Sequence, residues 1–270
     1  MRSIINPFRK IRNFIAGSVF GRKPKAGYCY RPGDVVIDDF AEFSGIPLDT
    51  VVEKVANFHR INAHDWHALD ASSFSERAAV FYESSQNYIF DTLSANPSPD
   101  AVVKKLDRFN PHILESIRVH PGKRFIDFGG GVGTLCELVA RMGKAVCYLD
   151  VPGIVFDFAQ WRFKRLGLNI AAIEAKADSI HLPGKYDIVY TDAVLEHFPR
   201  ALQIEATKAL AQAVDQDGLL IFLVDLSGPT EDDPMHHDVD IKELHNLLSS
   251  SGLRCEDGHY TFCSIWRRPR

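Results

Sequence analysis

The sequence predicts an α/β chain in which a mostly parallel sheet follows a helical N-terminal region. Three observations carry this. From Pro121 onward, short apolar runs of strand length alternate with segments of helical periodicity. Before Val119, apolar residues recur instead at spacings of three and four, with Ser-Gly and Pro breaks between the runs. A glycine-rich turn, Gly129-Gly130-Gly131-Val-Gly133, follows the first strand-like run and opens a helix-like one.

The chain begins with a basic arm. Residues 1–25 hold Arg2, Arg9, Lys10, Arg12, Arg22, Lys23 and Lys25 and no acid, in a chain of net charge −4. The remaining residues therefore carry −11. An acidic body argues against nucleic acid as a partner, because that needs a broad basic face. Asn6-Pro7 can start a helix that sets Phe8, Ile11, Ile15 and Val19 on one side. Three readings of the arm stay open. Residues 1–20 can lie on an anionic membrane surface, dock on the body or on a second copy in a homo-oligomer, or serve as an organelle-targeting peptide. A secretory signal is excluded by the charges that interrupt every apolar run.

Residues 26–119 read as a helical domain. Asp34 is placed to cap a helix through Phe43, stopped by Ser44-Gly45. Pro47 opens a second, with Val51, Val52, Val55 and Phe58 on its apolar face. Ser73 or Ser75 begins a third that carries Phe81, Tyr82, Tyr88, Ile89 and Phe90. Asn96-Pro-Ser-Pro99 breaks the chain before a last helix from Asp100 to Ile117.

Residues 120–270 read as the sheet-bearing domain. Arg124–Phe128, Ala145–Leu149, Tyr186–Tyr190 and Leu219–Val224 are strand-like, and Leu253–Cys255 with Tyr260–Trp266 form a terminal hairpin around Gly258. Thr134-Leu-Cys-Glu137 has the spacing of a capping box. The five cysteines include no Cys-x-x-Cys pair and read as reduced, which favours a cytoplasmic location, peripheral at a membrane if the arm binds one. No run reaches the roughly 20 apolar residues of a membrane span.

The chemistry concentrates around the glycine turn. Asp127 precedes it inside the strand, and Asp150 ends the next strand, where a carboxylate can accept hydrogen bonds from both ribose hydroxyls. The full Asp127-x-Gly129-x-Gly131-x-Gly133 pattern resembles motif I of class I S-adenosylmethionine-dependent methyltransferases. Leu149-Asp150-Val151-Pro-Gly153 is similar to their second motif in its small-molecule O-methyltransferase form. Ala177-Asp178-Ser179 looks like the adenine-contacting segment, Tyr186–Asp192 like the fourth-strand motif, and Asp217–Ile221 like the turn into the fifth strand.

That resemblance, over about residues 121–266, implies a Rossmann-like seven-stranded, mostly parallel sheet with a terminal hairpin under a helical N-terminal lid. It implies S-adenosylmethionine (SAM) as cofactor, held by Asp127, Gly129, Gly130, Gly131, Gly133, Asp150, Val151, Asp178, Ser179 and Asp192. Asp192 can instead cap the helix that follows. The implied activity is methyl transfer to a small organic, lipid-like acceptor. Val194-Leu-Glu196-His197-Phe198-Pro199 resembles the post-strand segment of many members, so His197 is a candidate base, and His236 in the loop after the fifth strand is a second. Quinone-biosynthesis members add an acid three residues before Glu196 for a metal; Ala193 stands there, and no metal is assigned. Asp192-Ala-Val-Leu also lacks the Asn/Asp-Pro-Pro-aromatic signature of base-amino methyltransferases. Two alternatives remain open: a cofactor-binding module without transfer, and an NAD-dependent oxidoreductase. Thr134, at the place of the third dinucleotide-fingerprint glycine, counts against the latter.

Overall fold

The computed structural model describes Cys29–Arg270, and the expected helix of the basic arm lies outside the described residues. Seven strands form one sheet: β1 (Arg124–Phe128), β2 (Ala145–Asp150), β3 (Ala171–Glu174), β4 (Tyr186–Asp192), β5 (Val214–Leu223), β6 (Arg254–Asp257) and β7 (Cys263–Arg267). Their order is β3-β2-β1-β4-β5-β7-β6. β1 to β5 pair in parallel, while β7 runs antiparallel between β5 and β6. The order reverses between β1 and β4, which opens a crevice at the strands' carboxyl ends, where ligands bind in such sheets.

Both faces of the sheet are covered. Odd positions of β1, such as Phe125, pack with Leu135 of α8 (Thr134–Arg141) and Phe163 of α9 (Ile154–Arg165). On the same face lie α6 (Pro99–Phe109) and α7 (His112–Val119). Ile126 and Phe128 turn to the other face, against Leu210 of α10 (Arg200–Ala213) and Leu244 of α11 (Ile241–Ser250). The period-two alternation of strand side chains produces this division.

The N-terminal helices are α1 (Val35–Ser44), α2 (Leu48–Ala56), α3 (Phe58–Ala68), α4 (Phe74–Ala78) and α5 (Ile89–Ala95). Of these, α1, α2 and α5 share a core with the glycine turn and α9: Phe40 of α1 and Phe90 of α5 lie buried with Val132, Val155 and Phe158. Phe40 meets Phe158 edge-on at 5.2 Å. A buried guanidinium reinforces the joint. Arg162 donates to Asp39 of α1 (3.0 Å), to Glu137 of α8 (2.9 Å) and to the carbonyl of Val132 (3.2 Å).

Several sequence expectations need correction. The helix expected over 100–117 is two, because Asn110 is extended (φ −161°) before Pro111, a position that disfavours the helical backbone. The helix expected from Ser73 through Phe90 is interrupted: α4 passes into a π-helical turn, Ala79–Ser84, and Ser85 then takes an extended conformation. The Ser85 hydroxyl accepts from the N–H groups of Asn87 and Tyr88, restarting the chain as α5. Phe58 opens α3 rather than closing α2. Asp34 flanks α1 without capping it by its side chain, which accepts from the N–H of Arg31. The capping box does not form either. Gly133 (φ 73°) precedes the first turn of α8, and the Thr134 hydroxyl donates to the carbonyl of Asn96. The last strand starts at Cys263, not Tyr260, since Tyr260 has φ 61° and Thr261 closes a turn onto Gly258.

Candidate active site

The carboxyl ends of β1, β2 and β4 bring the glycine turn, Asp150 and the Ala193–His197 segment to one edge. Gly133 is obligatory there: its φ is 73°, and a Cβ would stand 2.4 Å from the Phe163 ring. Gly131, also at positive φ, would place such a Cβ 3.7 Å from Thr92, an ordinary contact, so there the backbone conformation alone favours glycine. The N–H groups of Gly129 and Gly130 both donate to the carbonyl of Leu149, tying the turn to β2.

Asp150 closes the turn. One of its oxygens accepts from the Gly131 N–H at 2.7 Å and the other from the Val151 N–H at 2.8 Å. Burial pushes this carboxyl up to about 6, and those N–H donors pull against it. Each oxygen keeps a lone pair for a further donor. The two acceptor oxygens therefore fit the vicinal hydroxyls of a ribose.

Asp127 does different work. It is buried, and the Cys136 thiol donates to it at 3.3 Å. Burial pushes its carboxyl to about 7, with the Asp192 and Asp150 carboxylates adding to the effect. A folded-state value above the ordinary 3.8 means that the bound proton stabilises the fold at low pH. That stabilisation declines as pH rises above the unfolded value and is gone above about 7. Asp127→Asn is therefore expected to raise the melting temperature at pH 8 and to leave it nearly unchanged at pH 4. The gain at pH 8 should be on the order of 4 kcal/mol, the extra cost that the fold adds to ionising a carboxyl it prefers neutral. Calorimetric melting at the two pH values checks it, and equal changes at both would contradict it.

Asp192 does not cap a helix. Its carboxylate pairs with Lys105 of α6 at 2.9 Å and accepts from the Tyr190 hydroxyl at 3.2 Å. Asp178 and Ser179 are exposed in a turn after β3. Beside them, the Ala177 N–H donates to Glu83 of the π-helical turn at 3.1 Å. The backbone of the same Glu83 presses on Gly153, where a Cβ would meet its carbonyl at 2.5 Å. Glu83 and Lys105 thus join the edge from the helical region. Neither shows in the sequence, since their partners lie 94 and 87 residues away.

The two candidate bases meet. His197, in a 3-10 turn (Leu195–His197) after β4, has its ring 4.8 Å from that of His236, nearly perpendicular. Its Nδ1 shares a hydrogen bond of 3.0 Å with the Tyr82 hydroxyl. Burial holds His197 well below its usual range, helped by His236 and His237, so the imidazole is neutral at ordinary pH. Tyr82 is buried, which keeps its phenol protonated far above the ordinary value. The loop carrying His236 is pinned from two sides: the His237 N–H donates to the Glu196 carbonyl at 2.7 Å, and Asp233 pairs with His59 of α3 at 2.9 Å. Asp240 ends this loop and caps α11, accepting from the N–H groups of Lys242 and Glu243.

An aromatic wall faces this cluster. Trp66, Phe81, Tyr82 and Met235 are buried together, with Phe74, Tyr88 and Val151 against them. Tyr88 spans the two halves: its ring lies 6.2 Å from His197, and burial raises its phenol well above the ordinary value, with Asp91, Tyr82 and Asp150 adding to the effect. Polar atoms inside the wall are left unpaired. Neither oxygen of Glu196 has a hydrogen bond of normal geometry among the described residues, although the backbone N–H groups of Glu196 and Asp225 lie close enough to favour its charged form slightly. Burial keeps this carboxyl protonated well above its usual range. His236 Nδ1, His237 Nε2 and the whole side-chain amide of Asn62 are also without partners there.

The 3-2-1-4-5-7-6 sheet with a glycine turn after β1 and an acid ending β2 defines the class I SAM-dependent methyltransferase fold. The chain belongs to the methyltransferase-domain family, whose model matches residues 99–267. Among similar proteins, a ubiquinone biosynthesis O-methyltransferase of Burkholderia thailandensis is 35% identical over 129 residues, 46% of this chain and 55% of that protein. One of the same name from Methylococcus capsulatus is 31% identical over 115 residues, 40% of this chain and 48% of that protein. The chain thus spans about half the length of the curated relatives it matches. Two solved structures share the fold. An O-methyltransferase family protein from Burkholderia thailandensis has a TM-score of 0.52 at 15% identity, covering 80% of this chain and 71% of that one. A SAM-dependent methyltransferase from Clostridium acetobutylicum has a TM-score of 0.50 at 13% identity, covering 63% and 98%.

Proposed function

We propose that this protein transfers a methyl group from SAM to an oxygen of a small, ring-bearing acceptor. The observation that carries the reading is the neutral His197–His236 pair beside the Asp150-closed glycine turn, both under an aromatic wall. The relatives named as O-methyltransferases support oxygen as the nucleophile.

In this reading Gly129, Gly130, Gly131, Gly133 and Val151 shape the cofactor seat, and Asp150 takes its ribose hydroxyls. Asp127 keeps the seat's strand in place, while Asp178, Ser179 and Asp192 border it. When bound, the cofactor supplies a sulfonium methyl carbon open to in-line attack. The chain's residues align the acceptor hydroxyl with that carbon and keep water away, which is where most of the acceleration arises. His197 donates through Nδ1–H to the Tyr82 oxygen, which leaves its Nε2 lone pair to take the hydroxyl proton. The His197 imidazole would hold the acceptor's proton while the hydroxyl oxygen takes the methyl group from the sulfonium, which would be left as a neutral thioether. His236, against the same ring, is the second group able to hold that proton.

Incubation with isotopically labelled methyl-SAM and a panel of phenols tests the reading. The expected product is a labelled methyl ether. Binding of SAM with no transfer to any acceptor oxygen would favour a cofactor-binding module instead.

A further inference from the structure

Asn62 occupies an odd place for an amide. It lies in the middle of α3 at 1% exposure, and neither its nitrogen nor its oxygen has a hydrogen-bond partner among the described residues. Buried polar side chains are nearly always paired, so an amide left entirely unpaired calls for a reason. Helix preference supplies none, since Leu or Ala suits a helix interior better than Asn.

Its helix neighbours show where it points. His59, three residues earlier on the same face, bonds Asp233 in the loop that carries His236. Trp66, four residues later, stands edge-on to Phe81 at 5.2 Å and 6.4 Å from the Tyr82 ring. Tyr82 in turn holds His197. Asn62 thus shares a helix face with two residues, His59 and Trp66, that contact the segments around the two histidines. Further unpaired interior atoms, on Glu196, His236 and His237, belong to the facing segments.

We propose that Asn62 is an acceptor-recognition residue, whose amide pairs with a second oxygen substituent on the ring being methylated. This rests on the reading of the site as a ring O-methyltransferase. A carboxamide both donates and accepts, so it matches a hydroxyl, which does the same, better than an ether oxygen or a bare ring carbon. An acceptor with one oxygen leaves the amide unpaired in the complex, and a buried site built to bond a hydroxyl rejects the analogue without it. The unpaired amide costs the unliganded protein stability, a cost of the kind that functional positions carry.

The test compares wild type with Asn62→Leu, of similar shape, and Asn62→Ala, which adds no volume. Two readouts are used: melting temperature without acceptor, and the ratio of kcat/KM for catechol over phenol. Wild type should favour catechol by roughly tenfold or more, and both variants should reduce that ratio to within about threefold at unchanged SAM affinity. Asn62→Leu should also melt higher than wild type, because an unpaired buried amide is gone. A ratio retained in both variants, or a lower melting temperature for Asn62→Leu with the ratio intact, overturns the proposal. If wild type methylates neither phenol, the ring-acceptor reading fails instead. The melting comparison then decides for Asn62 alone: a rise supports an amide held for a ligand, and a fall shows a structural one.

Discussion

Replacing His197 by Ala should lower turnover by about 10²–10⁴-fold while SAM affinity stays within error of wild type. At the end of β4 its imidazole is neutral, hydrogen-bonded on one nitrogen and free on the other in the proposed tautomer. Glu196 beside it is no substitute, because burial keeps its carboxyl protonated. The pH dependence gives a second readout. Since burial lowers the His197 value, a base role keeps activity high on the acid side of the ordinary histidine range. The Ala variant should lose that plateau and rise with pH as the free phenol ionises. Steady-state kinetics with a methyl-accepting phenol, across pH, measures both. Full turnover in the variant would leave alignment as the sole source of rate.

The largest loss of stability is expected at Arg162. Arg162→Met should cost about 3–5 kcal/mol in urea unfolding, the usual result of breaking a buried ion pair. The guanidinium side chain is 1% exposed, and it neutralises Glu137 and Asp39 while also bonding the Val132 carbonyl. Glu137 keeps a half-exposed partner in Arg141, and Asp39 keeps Arg165, so the loss is not that of a fully isolated charge. Because Val132 lies inside the glycine turn, the same variant should weaken SAM binding. Arg162→Met combined with Glu137→Gln should recover part of the stability, since the orphaned charge is removed. An unfolding midpoint equal to wild type would show that the joint between the helical region and the sheet does not depend on this cluster.

How much of this was legible in the sequence follows from the range of each interaction. β1, β2, β4 and β5 are near-continuous apolar runs because both sheet faces are covered, and each is readable locally. β3 is not: Ala171–Glu174 is a four-residue edge strand with exposed ends, too short to stand out, and its two alanines are weak strand formers. The break at Asn110-Pro111 is a readable signal, masked by strong apolar periodicity on either side of it. Thr134 and Glu137 have the spacing of a capping box, yet Asn96 and Arg162 claim their side chains from afar. His197 and His236 are recognisable by type and position. Their closeness to each other, and to Tyr82, depends on how the helical region folds over the strand ends. Separations such as the 115 residues between Tyr82 and His197 leave no local trace.

Isothermal titration of the purified chain with SAM tests the account most directly, with NAD and the Asp150→Ala variant run alongside. One SAM should bind per chain, and NAD should give no heat. Asp150→Ala should lose about 1.5–3 kcal/mol of SAM binding, the worth of hydrogen bonds to a charged acceptor. SAM affinity unchanged by that substitution, or NAD bound in its place, would contradict the assignment of this edge.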